Sequence, residues 1–126
     1  MAKILIAGGD QAAMDVLSAE IIAEGHTVLT ERDGHAAYET SVAEGPDLIF
    51  LEAQMPVFNG CETCALIRND PTFPPRLPVF ILTRNDYEPA ALRKCGATGR
   101  FLKEHVSQDL RDLLVEYLGA SAVPDA

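Results

Sequence analysis

Several polar residues directly follow apolar runs of strand length. Glu52 follows Leu48-Ile49-Phe50-Leu51, Thr83-Arg84 follows Val79-Phe80-Ile81-Leu82, and Lys103-Glu104 follows Phe101-Leu102. Gly8-Gly9-Asp10 follows a further run, Ile4-Leu5-Ile6-Ala7. If these runs are parallel strands, a carboxylate, a hydroxyl and an ammonium meet at one sheet edge and make a polar pocket, with Lys103 close enough to neutralise Glu52. Gly8-Gly9 there is either a backbone nest for an anion or a plain tight turn. The dinucleotide pattern G-x-G-x-x-G is absent, and the tight turn is the simpler reading. Cys61-Glu62-Thr63-Cys64 has the spacing of a redox or zinc pair. A second ligand pair is missing, so the spacing predicts structural cysteines with one of the two facing the core. His26, His35 and His105 are scattered and form no HExxH or Ser-His-Asp order, which argues against zinc or nucleophilic catalysis.

The elements that position these residues alternate in kind. Lys3–Ala7 is a continuous apolar run, as expected of a strand covered on both faces. Asp10 can cap a helix whose apolar positions are Met14, Leu17, Ile21 and Ile22, stopped by Gly25. His26–Thr30 reads as a second strand, about 34–44 as a weakly amphipathic helix, and Asp47–Leu51 as the most apolar strand. A helix from Gly60 to about Arg68 follows. A proline-rich connection, Asn69–Arg76, leads into a strand within Leu77–Thr83 and reads as a rigid surface link. A short fourth helix over 86–95, a strand over Gly99–Lys103 and a last helix with Val106, Leu110, Leu113, Leu114 and Tyr117 on its buried stripe complete the pattern. Five strands alternating with five helices predict a doubly wound α/β fold, with right-handed crossovers and the site at the strands' carboxyl ends.

Composition narrows the function classes. The 126 residues fit one domain, expected over 1–118, with 119–126 a tail or the start of a linker. Nineteen acids against ten bases give a net charge of −9, which opposes direct binding to nucleic acid or to an anionic membrane. No apolar stretch reaches membrane-spanning length, and the opening residues are too short for a signal peptide. Three cysteines are too few for a disulfide framework, so a reducing cytoplasm is expected.

The chain resembles the receiver domain of bacterial two-component response regulators, the flavodoxin-like (CheY-like) fold. The resemblance runs from Lys3 to about Leu118. Its most specific segment is Pro46–Gly60, PDLIFLEAQMPVFNG, similar to the family's PDLILLD-x-x-MP-x-x-(N/D)G. Pro78–Thr83 is similar to the strand ending in Thr or Ser, and Gly96–Lys103 to GA-x-x-Y-(L/V)-x-K. Gly25-His26 and Asp33-Gly34 fall where the family has EGH and DG.

The departures lie in the site. The resemblance implies an acid pair after the first strand that holds Mg²⁺ with a phosphoaccepting Asp after the third. Here the pair is Gly8 and Gly9, and the acceptor position is Glu52. Thr83 and Lys103 are retained, whereas Arg84, Arg100 and Glu104 replace a small residue, an aromatic and a proline. Two lost carboxylates remove anionic ligands that Mg²⁺ needs. The added methylene of Glu52 shifts its oxygens from the in-line position. The expectation is therefore no metal, no cofactor, no catalytic residue and no normal phosphorylation of Glu52. Asp10 is expected to cap the first helix, and Arg84 to supply positive charge to the pocket. Glu52 is either a partial phosphate mimic or a carboxylate satisfied by Lys103. The expected role is a phosphorylation-independent interaction module that binds a signalling protein or a second copy. Binding would use the face of the fourth helix, fifth strand and last helix, where Arg84 and Arg100 lie. The alternative is a receiver that still switches, through an unusual acceptor or a small ligand at the Gly8/Gly9 edge.

Overall fold

The structure, a computed structural model, describes residues 2–84, 94–103 and 105–119. In chain order these form β1 (Lys3–Ala7), α1 (Gln11–Ala23), β2 (Thr27–Glu31), α2 (Gly34–Glu44), β3 (Leu48–Glu52), α3 (Gly60–Asn69), β4 (Val79–Thr83), β5 (Gly99–Leu102) and α4 (Val106–Leu118). The strands make one parallel sheet in the order β2-β1-β3-β4-β5. This is the flavodoxin-like order, with its switch point between β1 and β3.

Strand parity sorts the core into two layers. Ile4, Ile6, Leu48, Phe50, Phe80 and Leu82 point to the α1/α4 side, where they meet Met14, Leu17, Ile21, Leu110 and Leu114. Leu5, Ala7, Ile49, Leu51, Val79 and Ile81 point to the α2/α3 side, against Ala37, Cys64 and Ile67. Alternate residues of a strand face opposite ways, so strands covered on both faces must be apolar throughout. Phe80 anchors the first layer, with ring centroids 5.8 Å from Phe50, 5.4 Å from Phe101 and 5.1 Å from Tyr117.

Local signals explain where the helices begin. Asp10 and Asp33 accept from the backbone N–H groups of Ala13 (3.2 Å) and Ala36 (2.7 Å). Asn59 and Glu62 form a reciprocal capping box at α3, at 2.8 and 3.0 Å. The connection after α3 is pinned as expected of a rigid link. Asp70 accepts from the Thr72 N–H and hydroxyl and from the Tyr38 phenol, while the Tyr38 ring packs on Phe73.

Four helices appear among the described residues, and three expectations are corrected. The predicted helix over 86–95 falls almost wholly outside them, with only Lys94-Cys95 helical before Gly96. The strands β2 and β3 begin and end one residue later than expected. Ile22 does not join the core; it is 58% exposed, because the next residue after Ile21 on a helix turns about 100° away. Tyr117, placed on the buried stripe, is still 39% exposed and touches the core with its ring edge. The expected tail beyond 119 lies outside the described residues. No described helix is long and apolar enough to cross a membrane.

One pH response follows from the fold. His26 is buried, and its Nδ1 accepts from the Ala2 N–H at 3.0 Å. Burial lowers its pKa below the ordinary histidine value. The unfolded chain therefore takes up the proton first. This contribution to stability is complete above about pH 6.5 and is lost as pH falls from there through the lower folded value. Thermal unfolding is expected to show a lower midpoint at pH 5.5 than at pH 7.5, and His26→Gln is expected to flatten that part of the profile.

Candidate functional site

The sheet's carboxyl edge brings the predicted polar residues together. In the β1/β3 register Ala7 pairs with Leu51, so the next positions, Gly8 and Glu52, lie side by side. Both share the parity of the α1/α4 layer. Leu82 flanks Glu52 from β4, and Thr83 pairs with Leu102, which delivers Lys103 one residue further on. The Lys103 N–H donates to the Thr83 carbonyl at 2.8 Å and fixes that delivery.

Glu52 is 4% exposed and fully engaged. Its Oε1 accepts from the Asp10 backbone N–H at 2.8 Å, and its Oε2 forms an ion pair with Lys103 Nζ. The same ammonium lies 3.0 Å from Asp10 Oδ2. Asp10 thus has two tasks: one oxygen caps α1 and the other meets Lys103. The Lys103 hydrogen bond is the largest reason why the Asp10 carboxyl titrates below its ordinary value, followed by the Ala13 N–H. Arg84 is exposed and adds a weaker electrostatic pull on Asp10. Thr83 is buried, and its hydroxyl faces the Phe101 carbonyl at 3.5 Å, not Glu52. Arg100 sits half-buried on β5, away from this cluster in the register.

The relation between Gly8 and Glu52 escapes a residue-by-residue reading. A Cβ at Gly8 would stand 1.8 Å from Glu52 Oε1 and 2.3 Å from its Cγ and Cδ. The longer acid occupies the volume that any side chain at residue 8 would need. Strand parity was the available signal, since residues 4, 6, 8 and 48, 50, 52 alternate onto one face. Gly9 is exposed and has no such neighbour within 4 Å. Glu52 takes the space of a side chain at Gly8, whereas Gly9 faces open space. The adjoining recess lies elsewhere, a cleft of about 320 Å³ between α1 and α4 that opens from Glu52, Asp10 and Lys103 and is walled by Met14, Leu17, Leu82 and Val106.

The loop that carries Glu52 toward α3 is closely packed. The Ala53 N–H donates to the Leu82 carbonyl and the Gly60 N–H to the Ala53 carbonyl. Glycine is required at residue 60, where a Cβ would meet the Glu52 carbonyl oxygen at 2.5 Å. Val57, in the same loop, has φ of 70°, a left-handed conformation that β-branched residues rarely adopt.

A parallel sheet in this order, with a carboxylate and a lysine converging past the ends of β3 and β5, defines the receiver class of signalling domain. The sequence model of the response regulator receiver domain matches residues 4–115, and the chain belongs to that family. It is 30% identical over 86 residues to the alkaline phosphatase synthesis transcriptional regulatory protein PhoP of Bacillus subtilis, covering 68% of this chain. The chain spans only 35% of the length of PhoP. Among solved structures it is similar to chemotaxis protein CheY4 of Vibrio cholerae, with TM-score 0.83 and 25% identity over 93% of this chain and 98% of that one. It is also similar in fold to the receiver domain of sensor histidine kinase PA1611 of Pseudomonas aeruginosa, with TM-score 0.83 and 21% identity over 94% of this chain and 98% of that one. That receiver holds a magnesium ion in its active-site cleft.

Proposed function

We propose that this domain is a pseudo-receiver, an interaction module of two-component signalling that works without phosphorylation. One observation carries the reading: the Glu52 carboxylate fills the side-chain space of Gly8 and is satisfied from within by Lys103 and the Asp10 N–H. Mg²⁺ requires several oxygen ligands in near-octahedral array. Gly8 and Gly9 offer no carboxylate, and the two acids present, Asp10 and Glu52, share one ammonium. The donor set does not fit the ion, and no phosphoryl-transfer step is derived through it.

Glu52 engages Lys103 and leaves the Thr83 hydroxyl to a backbone carbonyl. This supports a satisfied structural carboxylate over a phosphate mimic. The partner is a signalling protein or a second copy, docking on the face formed by β5, α4 and the helix expected before β5, with Arg100 on its rim. The cleft beside Asp10 and Lys103 favours one further reading, a receiver switched by a small ligand there instead of at Gly8/Gly9.

The direct test is incubation with acetyl phosphate and Mg²⁺, read by intact mass. The expected spectrum shows the unmodified chain alone. A phosphorylated species that disappears in Glu52→Gln would overturn the proposal. If Glu52 mimics a phosphate, Glu52→Gln changes partner affinity; unchanged affinity is expected.

A further inference from the structure

All three cysteines gather on the sheet face opposite Glu52, in the layer beneath α2 and α3. Cys64 is fully buried, Cys95 is 7% exposed, and Cys61, one turn before Cys64 on α3, is half-buried at the edge of the same cluster. The Cys64 and Cys95 thiols belong to the same buried cluster and lie near enough to interact. Their approach is fixed by a neighbour. Arg68 lies one turn after Cys64 on the same face of α3. Its Nε donates to the Gly96 carbonyl at 2.8 Å and its Nη2 to Thr98 Oγ1 at 3.2 Å. Gly96 turns at φ of 81°, and a Cβ there would stand 2.9 Å from Arg68 Cγ. The segment entering β5 is thereby clamped against α3, one residue after Cys95 and one turn after Cys64.

We propose that Cys64 and Cys95 are an oxidisable pair that closes to a disulfide joining α3 to the segment entering β5, with Cys61 staying a thiol. The co-reactant is a hydroperoxide. Two thiols and one hydroperoxide give one disulfide, one alcohol and one water; two S–H bonds and the O–O bond break, and one S–S and two O–H bonds form. The sulfurs are oxidised and the peroxide is reduced. Burial is the main reason the Cys64 thiol is pushed up to about 12, with the Cys95 thiol adding to it. Cys95 is the more exposed of the two and meets the oxidant, and Cys64 closes the bond. The link would close a loop through β4 and restrict the unfolded chain, so the oxidised domain gains thermal stability.

The test treats the protein with hydrogen peroxide, alkylates the remaining thiols and maps the peptides. The expected product has lost two hydrogens, carries a Cys64–Cys95 link with Cys61 alkylated, and unfolds several degrees higher until reductant reverses the shift. Cys61→Ser is expected to form the same link, and Cys95→Ser to form none while keeping a cooperative unfolding transition. Three alkylatable cysteines after treatment, a Cys61–Cys64 link, a disulfide-linked dimer, or loss of the link in Cys61→Ser would each overturn the proposal.

Discussion

Replacing Lys103 by Met lowers the stability of the domain by about 3 kcal/mol, because it strands a buried charge. The Lys103 side chain is 12% exposed and that of Glu52 is 5% exposed, so water does little to screen the pair. Without the ammonium, Glu52 keeps the Asp10 N–H but loses its counter-ion, and Asp10 loses its partner at 3.0 Å. The Glu52→Gln/Lys103→Met double variant removes the charge together with its counter-ion. It is expected to regain about 2 kcal/mol of that loss, a coupling that denaturant unfolding of the four members of the cycle measures directly. If Lys103→Met costs no more than a surface substitution, the ammonium does not satisfy Glu52 in solution.

Gly8→Asp is expected to cost about 3 kcal/mol, combining overpacking with a second buried carboxylate beside the first. The new Cβ alone would lie 1.8 Å from Glu52 Oε1, and Glu52 is held by Asp10 and Lys103, so neither side can give way cheaply. Gly8→Ala isolates the steric part and should cost about 2 kcal/mol. Gly9→Asp, facing no atom within 4 Å, should stay within about 0.5 kcal/mol of the parent. Shortening Glu52 to Asp in the Gly8→Asp background should recover most of the loss. Equal penalties at residues 8 and 9 would mean that Glu52 does not occupy this space. The contrast separates the two glycines, which look alike in the sequence.

The parts of the fold written in hydrophobic period were legible before any coordinates. The strand runs, the Asp10 cap, the Gly25 stop and the facing of one cysteine of the Cys61/Cys64 pair into the core follow from spacing and turn chemistry alone. So did the meeting of Glu52 and Lys103, because a doubly wound sheet gathers the residues after its strands at one edge. Period alone could not separate Ile21 from Ile22, since two adjacent isoleucines differ only in angle around the helix. It also could not show that Asp10 serves both α1 and Lys103, because a capping aspartate keeps a second oxygen whose partner depends on tertiary placement. The close fit of Gly8 to Glu52 needed the β1/β3 register, which no local signal fixes. The contact of Cys95 with Cys64 likewise depends on how α3 and the segment before β5 come together.

Mg²⁺ titration followed by amide chemical shifts at Gly8, Gly9, Asp10 and Glu52 tests this account most directly. The wild-type domain is expected to show no saturable shifts at millimolar Mg²⁺, whereas the Gly8→Asp/Gly9→Asp/Glu52→Asp variant shows saturation at those positions. Saturable shifts in the wild type, centred on Glu52 and Asp10, would contradict it.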